Sequence, residues 1–131
     1  MADAVATQIL ADADGYAILK FTNISDGTGE SAALKVDVSA LAESSNGKAC
    51  SAVTIDEIYA ATDGMGVDIL WDATTDVLAF HIPQNVMYEM NMCGPLVNNG
   101  GSGKTGDVLF TTTGHTSGDR YTVILKMRKI Y

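Results

Sequence analysis

The chain has 131 residues, room for one domain but not two, because either half alone would bury too little apolar surface to fold. Apolar residues make up 47% of it and charged residues 18%, below the roughly 25% of ordinary soluble domains, which excludes a disordered chain and implies a packed core. A net charge of −8 sets the protein's own field against phosphate backbones and anionic lipid, so neither nucleic acid nor membrane is expected as a partner.

Residues 1–10 contain Asp3, no Lys or Arg, and an apolar run broken by Thr7 and Gln8, so they lack the features of a secretory leader. No apolar run approaches the ~18 residues of a membrane helix. A protein made and kept in the cytosol until any assembly is the expectation. A mean hydropathy of +0.12 in so acidic a chain fits either contact with neighbouring subunits or a well-filled core.

In chain order, period-two segments alternate with Gly, Asp and Asn punctuation, the rhythm of antiparallel sheet. A first strand is expected in residues 5–10. Residues 16–22 form the next, with Ala17, Leu19 and Phe21 on one side and Lys20 and Thr22 on the other. Residues 25–29 carry Asp-Gly turn chemistry and predict a hairpin into a strand over 30–38. A single helical turn fits 40–43. Residues 50–62 read as a long strand whose apolar phase changes between Ile55 and Ile58, which a bulge at Asp56 and Glu57 would reconcile. Strands over 67–71 and 77–82 complete an expected meander. From 83 to 106 the pattern fails, and a loop of that length is usually functional or packed on a partner. Regular alternation returns over 108–112 and in a closing strand over 120–131.

Seven or eight strands in one domain covering residues 1–131 predict an all-β fold, an antiparallel β-sandwich or jelly roll. The expected core includes Leu19, Phe21, Leu34, Val36, Val53 and Ile55 from the first half. From the second it includes Ile69, Trp71, Leu78, Phe80, Val123 and Leu125.

Sites of chemistry are sparse. Gly103-Lys104-Thr105 ends like a phosphate loop, but Asn98 stands where the first glycine belongs, and the β-like run 107–113 follows where a helix is needed. The run from Asp12 to Gly15 starts like a calcium loop, but Asn23 occupies the position of the bidentate Glu. The acidic pairs Asp72 with Asp76 and Asp63 with Asp68 read as turn chemistry, with weak cation binding as the sharper alternative. Neither His81, in a strand, nor His115, in a turn with Ser117 and Asp119, has the separated partners of a hydrolase triad. Cys50 and Cys93 lack metal-ligand spacing and are read as buried free thiols in preference to a bridge. No enzyme activity and no cofactor are expected.

All sixteen acidic residues lie in residues 1–119 with four of the eight basic ones, and the other four basic residues lie in 120–131 without an acid. The plain reading is a basic edge or solvent face on the last strand, where Lys also discourages stray strand pairing. The sharper one is a surface for an acidic partner.

Three stretches are distinctive: Lys20 through the Asp26-Gly27-Thr28-Gly29 turn to Glu30; Gly64-Met65-Gly66-Val67 leading to Leu70-Trp71-Asp72; and Gly106-Asp107-Val108 through Thr113-Gly114-His115 to Asp119. With them the chain resembles small virion structural proteins of tailed bacteriophages. The resemblance implies a β-sandwich or jelly-roll subunit present in many copies in the virion and made in the host cytoplasm. A capsid decoration or cement protein is the first expectation, with the major capsid protein and further copies of itself as partners, and a tail or neck component the second. A glycan-binding β-sandwich is the rival from another class, with Tyr88, Trp71 and the 83–106 loop as its candidates. The expected subunit-interface residues are Met87, Tyr88, Met90, Met92 and Leu96 in that loop, with Lys126, Arg128 and Lys129 on the last strand. Flexible methionines can reshape against an apolar neighbour, and the cations can meet acidic patches.

Overall fold

The computed structural model describes residues 3–90 and 95–131. Among the described residues nine antiparallel strands form two sheets, and the core between them makes the protein a β-sandwich, as expected. The five-stranded sheet has the order β1 (Ala4–Asp12), β2 (Tyr16–Ile24), β9 (Arg120–Ile130), β4 (Ala52–Asp63) and β7 (Met87–Met90). The four-stranded sheet runs β3 (Ala33–Val36), β8 (Val108–Thr113), β5 (Gly66–Trp71) and β6 (Val77–Ile82).

Alternation drives the packing. Leu19 and Phe21 of β2, Val123 and Leu125 of β9, and Ile69 and Trp71 of β5 all point inward and are buried. Phe21 meets Phe110 edge to face at 5.2 Å, and Phe110 meets Tyr121 at 5.9 Å, so aromatic rings bridge the sheets. The phase change in β4 is a bulge between Ile55 and Glu57, which lets Val53, Ile55 and Ile58 all reach the core.

Several local expectations are corrected. The ninth strand, β7, lies inside the 83–106 segment read as loop; its four residues pair with β4, Met87 opposite Ala61, and are too short a run for period two to register. Residues 25–29 do not close a hairpin, because β2 and β3 belong to different sheets and the Asp26-Gly27 turn carries the chain across the sandwich. The meander reduces to the β5–β6 hairpin, since β4 lies in the other sheet. The turn expected at 40–43 is a 3-10 turn at Val38–Ala40, capped by Asp37 accepting from the Ser39 N–H. Leu34 and Leu78 are 53% and 52% exposed, because bulges between Leu34 and Val36 and beside the Leu70–Leu78 pair move them to the outer face. Phe80 is partly buried, packed against the core and on Tyr88. The last strand is no edge: β9 lies between β2 and β4.

Candidate functional site

The expected interface residues do not gather in one place. Met87 stands out on β7 at 76% exposure. Tyr88 turns inward, its ring 5.1 Å from that of Phe80. The backbone of Met90 pairs with Ile58, while Met92 and Cys93 lie outside the described residues. Leu96 is tied to the sandwich: its N–H donates to the Ile55 carbonyl at 2.8 Å and its own carbonyl accepts from Ile55 at 3.0 Å.

On β9 the alternation separates the three cations. Lys126 and Arg128 point outward, with side chains 46% and 65% exposed. Lys129 belongs to the opposite face, and its ammonium is sealed between Asp12 Oδ1 at 2.5 Å and the Ala42 carbonyl at 3.0 Å. It cannot serve an outer surface, because it already neutralises a carboxylate of its own chain.

One end of the sandwich is locked by a polar network. Asp3 Oδ1 accepts the Asp26 and Gly29 N–H groups, each at 3.1 Å, and Oδ2 accepts from Asn23 Nδ2 at 3.0 Å. Burial pushes the Asp3 carboxyl up, but these hydrogen bonds prevail and hold it below the ordinary carboxylate value. Glu30 Oε1 accepts from Asn23 Nδ2 at 2.7 Å and from the Tyr121 hydroxyl at 2.5 Å, and the other oxygen pairs with buried Lys35. Burial, and then that bond to Glu30, hold the Tyr121 phenol far above its usual range. The network pins the start of β1 in place.

Pinned there, β1 is the outermost strand of the five-stranded sheet, and its residues Ala4 to Leu10 are exposed on both faces. Val5, Ile9 and Leu10 are 50%, 60% and 46% exposed. Nothing from the four-stranded sheet covers Val5 or Ile9, although both point to its side. From Ala4 to Ala11 the strand has no charge and no proline, the usual guards of a free edge. The sequence showed this strand but gave no sign that it was an edge.

On the outer face of the five-stranded sheet a shallow depression of about 130 Å³ is lined by residues including Ile18, Glu57, Tyr59, Glu89, Ile124 and Lys126. Tyr59 is 40% exposed there. Trp71, the other aromatic candidate, is 1% exposed and belongs to the core.

The catalytic candidates stay apart. His81 Nδ1 lies 2.5 Å from Asp68 Oδ1 on the open outer face of the four-stranded sheet. His115 Nδ1 lies 3.2 Å from Thr112 Oγ1, while Asp119 accepts from the Thr116 N–H and hydroxyl. Among the described residues no group of three or more His, Cys, Asp or Glu is arranged to hold a metal ion. Lys104 and Thr105 lead into β8, with Thr105 donating to Asp72 at 2.8 Å. Gly106, at φ +89°, passes so close to the Ser51 carbonyl that any side chain there would collide with it. The Cys50 thiol is unbridged and pushed up by burial.

No family model and no curated protein matches the chain. Among solved structures, a mutant of a family 29 carbohydrate-binding module is similar with a TM-score of 0.39 and 10% identity, over 96% of this chain and 86% of its own.

Proposed function

We propose that this protein is a non-enzymatic virion structural component, a capsid decoration subunit that attaches to neighbouring shell proteins through the β1 edge. The observation that carries this reading is that edge: seven residues of strand, Ala4 to Leu10, exposed on both faces, five of them apolar and none charged. A strand in that state offers a row of backbone donors and acceptors to any neighbouring strand, and β-addition gives affinity through the main chain and specificity through alternate side chains. The Asp3 network supports the reading by holding the edge in strand form before a partner arrives, which lowers the ordering cost of binding. The open setting of His81 supports the non-catalytic part.

The test is co-sedimentation with undecorated shells built from the capsid protein of the same genome. Stoichiometric addition is expected for the native chain and its loss for Val5→Lys with Ile9→Lys, whose positions are exposed enough to leave the fold intact. Addition to tails alone would keep the structural role and move its location; attachment unaffected by the double substitution would overturn the edge.

A glycan-binding module is the second reading, and the Tyr59 depression favours it, because an exposed aromatic ring stands there beside Glu57, Glu89 and Lys126. Binding on a glycan array, lost in Tyr59→Ala, would establish it.

A further inference from the structure

The outer face of the four-stranded sheet carries a pattern that the sequence read as core and turns. Leu34 pairs with Leu109, Leu109 with Leu70, and Leu70 with Leu78, so one leucine from each strand forms a continuous row across the sheet. The two ends of the row, Leu34 and Leu78, are more than half exposed, whereas Leu109, shielded by its neighbours, is 7% exposed. At one end of the same four strands stand Asp37, Asp107, Asp72 and Asp76, one per strand. Asp107 and Asp76 lie two residues before their leucines and Asp72 two after, which puts them on the leucine side. β5, β6 and β8 contain no Lys or Arg, and Lys35 of β3 is buried on Glu30. Burial raises the Asp107 carboxyl, and the charges of Asp37 and Asp72 raise it further, the mark of a row of anions with no cation among them.

The opposite outer face of the same molecule carries the converse pattern. Across β2 and β9, Tyr16 pairs with Arg128, Ile18 with Lys126, Lys20 with Ile124, and Ile24 with Arg120. Each pair joins one apolar side chain to one cation, and β2 and β9 present no carboxylate. Two of these cations have loose intramolecular partners: Arg128 lies 3.4 Å from Asp56 and Lys126 4.0 Å from Glu57, with both cationic side chains open to solvent. Such contacts are worth little and give way readily to a better-placed carboxylate.

We infer that the leucine and aspartate rows of one copy dock on the β2–β9 face of a second copy, so that the chain associates with itself head to tail. The occupant follows from charge complementarity together with matched apolar strips, since an apolar row edged by four anions meets apolar residues interleaved with four cations. Because the two faces lie back to back on one sandwich, each docked copy leaves its other face open. The contact is heterologous and builds a ring if its rotation closes and a filament if it does not. This inference rests on the reading of the protein as a multicopy association subunit, and it names the self-contact.

Sedimentation velocity of the full chain from micromolar to millimolar concentration tests it. Species larger than the monomer should grow with concentration and shrink as salt screens the charges. Leu78→Lys removes one face and Lys126→Glu with Arg128→Glu the other; each variant alone should remain monomeric while keeping its β circular-dichroism spectrum. An equimolar mixture of the two retains one intact copy of each face and should form dimers and nothing larger. A native chain that stays monomeric throughout, variants that assemble like the native chain, or a mixture that fails to pair would each overturn the head-to-tail contact. A monomer that still adds to shells refutes this contact and leaves the proposed function standing, whereas a chain that stacks yet ignores virion particles does the reverse.

Discussion

Lys129 Nζ and Asp12 Oδ1 meet at 2.5 Å across the joint between β9 and the end of β1, with none of the lysine side chain exposed. A pair so enclosed is costly to break one side at a time, because the remaining charge is stranded. Lys129→Ala should lower stability by about 3–5 kcal/mol in urea unfolding. Lys129→Met in an Asp12→Asn background, which removes both charges and keeps the volume, should recover most of that loss.

Trp71, the last residue of β5, is buried between the sheets at 1% exposure. Replacing it with Ala should cost ~3–5 kcal/mol. The measurement is chemical denaturation, and a loss below ~1 kcal/mol would contradict the burial that removes Trp71 from any ligand platform.

Asp107 and Asp3 depart from the ordinary carboxylate in opposite directions, so their pH signatures differ. The Asp107 carboxyl is raised, so its contribution to stability is full below the ordinary value of 3.8 and is lost as pH rises through its folded value. Asp107→Asn keeps an acceptor for the Val38 N–H and removes the repulsion from Asp37 and Asp72. It should raise stability at pH 7 by under about 1 kcal/mol, since the group is largely solvated, and the advantage should vanish below the ordinary value.

For Asp3 the carboxyl is held low, so its contribution is full above 3.8 and is lost as pH falls through the still lower folded value. Asp3→Asn should therefore destabilise the protein at neutral pH, and the difference should close in strong acid. Thermal unfolding between pH 7 and pH 2 checks the crossing.

The sandwich was legible because residues such as Phe21, Ile69 and Val123 alternate strictly, and even the β4 bulge showed in the step from Ile55 to Ile58. Pairing was not legible. Nothing local in Asp26-Gly27 says whether a turn closes a hairpin or crosses to the other sheet, and that choice depends on which partner strand completes the core. Period two places Leu34 and Leu78 in the core because it extrapolates through the bulges at β3 and β6, where a single extra residue reverses the face. The same slip hid the leucine row. The charge of Lys129 suggests a surface position, whereas its place two residues after buried Met127 puts it inside.

Hydrogen exchange across residues 4–12, read in the free protein and again on the virion particle, addresses the edge most directly. In the free protein the outward amides of β1 should exchange rapidly while those bonded to β2 are slow. On the particle the outward amides should become protected. Bound protein whose β1 exchanges as fast as in solution would contradict attachment through this strand.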